Sequence, residues 1–577
     1  MDSYEDLPKE PRFPLVPLSR LAQMMTIVIL ASLVPYFVPS LRDYHYWDRL
    51  DTTPLQLALR MQAPVPPVKM PDEKPETPPQ LANAAAEDEA EAEADAEAAK
   101  VMPQDVAPRP EMPQTETEPA LVGASADRLL AVTDEQLGDQ KVWLEGNAHA
   151  LDGFIQALVE LVNGKRTYVR IAHFGDSHMA NDGITDVTRK LLQRRFGDGG
   201  HGFSLVHART NWYKHRGIKR TASEGWKITN FLNGNGSDGA YGYGGVAVEG
   251  GPGEQFGLDS QKHPISHAFL YFRSEGKAVL SVKVDNKNLE PLKIEDAAGV
   301  DGFHDWKLPL GPHSVTWRVT AGKVRLFGGA LEAEKGIVYD SLGEVGARGT
   351  RWLNTGEAHM ATELRQRNPD LVILNYGGNE RIDKITEAQY LERMANVVHR
   401  FIFVPEQGGK PQPARSCLLI GPGDHGVRKA GKIVSDPDII RIIDWQRKLA
   451  RQTGCAFWDA RAAMGGEGSM GRWVSSGLGW ADYAHFSPKG EAFMGVATYR
   501  ALLHALKSAP AGLLHPGEPA AIAAAPQPPV VVKVVAPVAP PSPAVAGSDE
   551  KPHHAAHKKD HGKHGKKHHG HKKPKHH

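Results

Sequence analysis

Ser177 stands at a junction where a hydroxyl could be put to chemical use. It follows the apolar run Tyr168-Val169-Arg170-Ile171-Ala172-His173-Phe174 and the pair Gly175-Asp176, and it precedes a helical pattern from about Val187 to Phe196. Open α/β sheets present ligands at the carboxyl ends of their strands, which is where this serine would lie. A serine hydroxyl is a poor nucleophile until a base takes its proton. Asp482-Tyr483-Ala484-His485 supplies a base and a carboxylate just before the last helical pattern. That spacing can put both side chains on one side of a turn, so that Asp482 holds the His485 tautomer while the other ring nitrogen faces the serine. Gly377-Gly378-Asn379-Glu380 closes the run Leu371 to Tyr376, and Gly346 lies in Leu342-Gly343-Glu344-Val345-Gly346-Ala347. An Asn amide and backbone N–H groups at such places can stabilise an oxyanion. Each piece alone has a plainer role: a serine capping a helix, a surface Asp with a capping His, a Gly-rich turn whose Asn tolerates positive φ.

The elements that would position these residues alternate. Leu144, Ala148, Leu151, Phe154, Leu158 and Leu161 recur at helical spacing, with Gly164 as a stop. The strand over Tyr168–Phe174 follows. Beyond residue 336 come a strand at Leu371–Leu374, a helix at Thr386–Phe403 and a strand at Cys417–Ile420. A helix at Asp438–Thr453 opened by Pro437, a strand at Ala456–Trp458 and a helix from Pro488 to about Leu506 complete the series. Strand alternating with helix predicts an α/β fold, a parallel sheet covered on both faces. Between about 205 and 335 the pattern changes to short alternating runs such as Val279-Leu280-Ser281-Val282-Lys283-Val284 and Ser314-Val315-Thr316-Trp317-Arg318-Val319. Turn residues separate them, which predicts a β-sandwich inserted into the α/β domain.

Ser, Gly, Asn and His thus occur in the order of the four blocks of the SGNH/GDSL hydrolases, and the chain resembles that family over roughly residues 140 to 508. The resemblance implies a flavodoxin-like, three-layer SGNH-hydrolase fold. It also implies a catalytic triad of Ser177, Asp482 and His485, and an oxyanion hole formed by the Ser177 N–H, the Gly346 N–H and the Asn379 side chain. Phe174-Gly175-Asp176-Ser177-His178, Leu192-Gln193-Arg194-Arg195-Phe196-Gly197-Asp198-Gly199-Gly200-His201-Gly202-Phe203 and Gly336-Ile337-Val338-Tyr339-Asp340-Ser341-Leu342-Gly343 are narrower. They are similar to bacterial peptidoglycan O-acetylesterases, as is Asn379-Glu380 ending the third block. Val345 departs from the Asn expected before Gly346. The inserted module resembles carbohydrate-binding sandwiches. Trp212 and Tyr213, with Tyr241 and Tyr243, are candidate sugar-stacking aromatics on Gly-rich loops, while Trp317 and Phe327 read equally as module core.

The chain of 577 residues has room for more than this domain, and its net charge of zero hides an uneven distribution. Residues 1–20 lead to an apolar run, Leu21 to Leu41, long enough to span a bilayer and without a following cleavage site. Lys9, Arg12 and Arg20 before the run balance Arg42, Arg49 and Arg60 after it, so charge does not orient it. Export of the catalytic domain to the periplasm is the expectation, because the chemistry suits it. Residues 42–125 read as a disordered Pro/Ala/Glu-rich linker with an acidic run from Glu87. Residues 126–508 read as the hydrolase domain with its insertion. Residues 509–577 read as a disordered Pro/Ala-rich then His/Lys-rich tail that could bind a metal or an anionic polymer. Cys417 and Cys455 read either as one bridge or as two small buried residues.

The resulting expectation is a membrane-anchored serine esterase that removes O-acetyl groups from an envelope polysaccharide, peptidoglycan in particular. No cofactor, catalytic metal or nucleic acid is called for. An O-acetyltransferase with the same nucleophile stays open, as does a non-catalytic wall-binding protein on a hydrolase scaffold.

Overall fold

The computed structural model describes residues 124–514, apart from Ser237, Asp296 and residues 405–411. The apolar run 21–41, the linker through 123 and the tail from 515 lie outside the described residues. Among the described residues no helix is long and apolar enough to cross a membrane.

The near-continuous apolar runs become a six-stranded sheet. Its order is Glu145–Gly146, Ala456–Trp458, Ser416–Ile420, Leu371–Asn375, Tyr168–Gly175, Gly336–Gly343. The five inner and distal strands are parallel, and the short first strand is an antiparallel edge. Alternate side chains leave the sheet on opposite faces, which is why both faces are apolar. Phe174, Leu374 and Leu419 pack under the helices Glu387–Ile402 and Pro437–Thr453. Ile171, Ile373 and Leu418 pack under Asp152–Val162, Gly183–Phe196 and Pro488–Lys507. Cys417 in the strand Ser416–Ile420 and Cys455, just before the neighbouring strand Ala456–Trp458, have Cα atoms 5.0 Å apart and form a disulfide.

The strand register places the candidate blocks side by side. Gly175 is paired with Gly343 on one side and with Asn375 on the other. Ser177, Gly346 and Asn379 therefore leave the same edge of the sheet from three adjacent strands.

The alternating runs of the insertion form two antiparallel sheets. One runs Lys287–Ile294, Ala278–Val284, Ser314–Ala321, Gln255–Asp259, Lys219–Ala222. The other runs Asp301–Gly311, Ile265–Ser274, Val324–Glu332, Val246–Gly250, Lys227–Asn230, with Gly200–Ser204 also pairing to Val324–Glu332. Leu270 and Leu326 of one sheet share a core with Leu280, Val315 and Trp317 of the other. Strand Val324–Glu332 passes almost directly into Gly336–Gly343 of the parallel sheet. The join is held by a buried ionic hub: Arg367 donates to Glu332 at 2.6 Å and to Asp340, and Arg170 donates to Glu332 at 2.6 Å. Burial opposes the Glu332 charge, but the two guanidinium groups outweigh it and hold the carboxyl down at about 2.

Order continues past residue 508, where the composition predicted its end. Ala511–Leu514 forms a short helix, and Leu513 and Leu514 pack against the core beside Asp152–Val162.

Candidate active site

The short helix Ser177–Ala180 is capped by Asp176, whose carboxylate accepts the His178 N–H at 3.0 Å. The capping role open to Ser177 is thus taken by its neighbour, and the serine hydroxyl is free to point elsewhere. Ser177 Oγ lies 2.9 Å from His485 Nε2. His485 Nδ1 lies 2.7 Å from Asp482 Oδ2.

Local geometry fixes the loop that carries this pair. Asp482 Oδ1 accepts the backbone N–H groups of Ala484 and His485, each at 3.0 Å. The Trp480 N–H donates to the His485 carbonyl at 2.9 Å, and the Gly426 N–H donates to the Tyr483 carbonyl at 2.8 Å. Tyr483 sits at φ 59°, a left-handed conformation that is uncommon for a residue with a side chain and marks a tightly constrained turn. Helix Pro488–Lys507 is capped by Ser487, so His485 is not needed for that task. Partial burial opposes ionisation of Asp482, but the His485 ring and the two backbone donors hold its carboxyl at about 2. It is an acceptor throughout the neutral range, as the imidazole requires.

Gly346, at φ 75°, and Asn379 are both partly buried. The Asn379 amide donates to the Ala347 carbonyl at 3.1 Å, which ties the two blocks together. A side-chain amide has two hydrogens, so one remains for a ligand. Glu380 braces the same blocks: its buried carboxylate accepts the N–H groups of Gly349 at 2.7 Å and Gly377 at 2.9 Å. Burial pushes the Glu380 carboxyl up to about 7 despite these donors.

The aromatic candidates divide. The half-buried Trp212 donates its indole N–H to the Ser177 carbonyl at 3.0 Å, so it stands beside that serine. Tyr213 is buried, and its hydroxyl accepts the Leu205 N–H at 3.2 Å. Tyr241 and Tyr243 are buried too, and the Tyr241 hydroxyl bonds the backbone of Gly236. None of these three tyrosines has an open face for a sugar, which corrects the stacking role expected for Tyr213, Tyr241 and Tyr243. Trp317 and Phe327 are core residues.

One cluster among the described residues has the chemistry of metal ligands: Asp301, His359 and Glu363. His359 Nδ1 bonds Asp301 at 2.6 Å, and His359 Nε2 accepts the Gly242 N–H at 2.8 Å. Both imidazole nitrogens are therefore engaged within the protein. Sequence reasoning passed over His178, whose two ring contacts reach Asp176 and Ala484. The histidine beside Ser177 is visible in the sequence, but its partner in the last block is close only in space.

The chain is similar to a peptidoglycan O-acetylesterase of known structure. Identity is 25%, the match covers 63% of this chain and 98% of that chain, and the TM-score is 0.53. A carbohydrate acetylesterase from Sinorhizobium meliloti matches at 16% identity over 29% of this chain and 78% of that one, with a TM-score of 0.21. A family two carbohydrate esterase from Cellvibrio japonicus matches at 12% identity over 50% of this chain and 98% of that one, with a TM-score of 0.21. No protein-family model and no curated protein matches the chain.

Proposed function

We propose that this protein is an SGNH-type serine esterase that removes O-acetyl groups from an envelope polysaccharide, peptidoglycan in particular. The observation that carries the proposal is the continuous chain from Ser177 Oγ through His485 to Asp482, at 2.9 and 2.7 Å. Ser177 Oγ attacks the acetyl carbonyl carbon, and its proton passes to His485 Nε2. Asp482 holds the ring and stabilises the imidazolium that forms. The Ser177 and Gly346 N–H groups and the remaining Asn379 amide hydrogen receive the oxyanion. The ester C–O bond breaks, His485 returns the proton to the departing sugar hydroxyl, and the acetyl group stays on Ser177. Water, deprotonated by His485, then attacks the acetyl carbon, the Ser177 Oγ–acetyl bond breaks, His485 returns the proton to Oγ, and acetate leaves.

Similarity to a peptidoglycan O-acetylesterase over nearly the whole of that chain supports the choice of polymer. The Cys417–Cys455 disulfide supports an oxidising compartment, since such bonds persist mainly outside the cytosol. The run Leu21–Leu41 would be the anchor and the segment 42–125 the tether to the wall. The test is acetate release from O-acetylated and de-O-acetylated peptidoglycan by the wild type and by Ser177→Ala. Release from the acetylated polymer alone, lost in Ser177→Ala, is expected. A folded wild type that cleaves a small acetyl ester but leaves the polymer untouched would overturn the peptidoglycan assignment.

A further inference from the structure

We propose that His178 is a positioning residue, a doubly protonated imidazole that clamps the catalytic loop to the nucleophile turn and releases it on losing a proton. The proposal rests on the serine-esterase reading and adds a pH-dependent control to the same site.

His178 Nδ1 lies 3.1 Å from Asp176 Oδ1, and His178 Nε2 lies 3.1 Å from the Ala484 carbonyl oxygen. A backbone carbonyl only accepts. A carboxylate only accepts, and this oxygen already takes the His178 backbone N–H at 3.0 Å. Each ring nitrogen therefore faces an acceptor. A neutral imidazole has one N–H, and only the imidazolium has two. Through the ring the two bonds tie Asp176, the residue before Ser177, to Ala484, the residue before His485, so the clamp spans the gap that the Ser177–His485 contact must also span. Its ring lies 5.2 Å from the His485 ring, nearly parallel at 27°, and 4.8 Å from Phe486.

Ionisable groups face this ring from every element around it. Asp176 comes from its own turn, Asp482 and His485 from the catalytic loop, His425 at 6.3 Å from the loop beyond Ser416–Ile420, and Glu491 from the last helix. Burial opposes the His178 charge. The Asp176 carboxylate and its hydrogen bond, the Ala484 carbonyl and Asp482 outweigh it, and the ring titrates above the ordinary histidine value. Burial and the His178 charge together push His425 well below its ordinary value, so that neighbour stays neutral. A basic group raised on folding stabilises the fold fully below its unfolded value of about 6.5, and that stabilisation is lost as pH rises through the folded value. The clamp therefore opens on the alkaline side. One of its two acceptors then loses its donor, and the internally braced loop carrying Asp482 and His485 loses a tie to the Ser177 turn.

Two readouts on the full chain test this. In protein labelled with ¹⁵N in the imidazole, the His178 signals, assigned by their absence in His178→Gln, should show both nitrogens protonated at pH 6 and a midpoint above the ordinary histidine value. The kcat for a small acetyl ester should fall with that same midpoint. His178→Gln keeps one donor but no charge. It should lower kcat by roughly ten-fold at pH 7, the order expected for one charge-assisted bond, and should lack that alkaline limb. A bare ring nitrogen on His178 at pH 6, or an unchanged alkaline limb in His178→Gln, would overturn the proposal. The NMR readout does not depend on turnover and can be repeated in Ser177→Ala. Persistent activity of Ser177→Ala would count against the esterase reading and leave the His178 protonation result standing.

Discussion

The indole N–H of Trp212 donates to the backbone carbonyl of Ser177 at 3.0 Å. Trp212 belongs to the segment inserted between the first two blocks, so the insertion reaches Ser177 directly. Trp212→Phe keeps the ring and removes the donor. A neutral hydrogen bond contributes about 1 kcal/mol, so kcat/KM should fall roughly five-fold. The loss should be equal on a small acetyl ester and on polymer, because the contact is with the serine backbone. A loss confined to polymer would return Trp212 to the sugar-contact role suggested by its sequence setting.

Asn379→Ala removes a side chain that holds the Ala347 carbonyl and, in the proposed mechanism, offers its other amide hydrogen to the oxyanion. The expected result is a fall in kcat of roughly 100-fold or more with little change in KM. Steady-state kinetics on a soluble acetyl ester will decide it. A raised KM with kcat intact would make Asn379 a ground-state contact.

Glu363 gives the fold a pH dependence of its own. It is fully buried, one carboxyl oxygen accepts the Tyr243 N–H, and burial followed by repulsion from Asp301 pushes it up to about 8. The folded protein therefore binds a proton that the unfolded chain releases near pH 4.5. Stability from this group is complete below that pH and declines as pH rises toward 8. Glu363→Gln should flatten the decline, raising the denaturation midpoint at pH 8 relative to wild type and changing it little at pH 4. Urea titrations at the two pH values provide the comparison, and parallel curves for both proteins would contradict the assignment.

The Cys417–Cys455 bond closes a loop with a sequence separation of 38. Replacing both residues with Ala should lower stability by about 2–4 kcal/mol, read from the shift in urea midpoint. An unchanged midpoint under oxidising conditions would show that the bridge is not formed in the isolated protein.

The parts legible in the sequence are those written in local order. Continuous apolar runs such as Leu371–Leu374 and helical spacing from Thr386 onward reveal elements, because side-chain period reports which faces are buried. Asp482 and His485 share one turn, so their pairing is a local fact as well. The rest depends on contacts between distant segments. The sheet order, which sets Tyr168–Gly175 between Leu371–Asn375 and Gly336–Gly343, has no local signal. The cysteine pairing was open for the same reason. Tyr213, Tyr241 and Tyr243 sit on Gly-rich loops and looked like surface residues. Their rings are buried, and the hydroxyls of Tyr213 and Tyr241 meet backbone groups from Leu205 and Gly236, a satisfaction that composition does not encode. Val345, the departure from the block pattern before Gly346, is buried, and the turn it precedes still carries Gly346 at positive φ.

The central claim is that Ser177 carries the acetyl group during turnover. Rapid acid quench of the full-length protein with a small acetyl ester, followed by peptide mass mapping, tests it most directly. The account requires a transient acetyl group on the peptide containing Ser177, absent from Ser177→Ala and strongly reduced when His485 is replaced by Ala, because the same base activates the serine. Steady acetate release with no acetyl on that peptide, and at the same rate in Ser177→Ala, would contradict it.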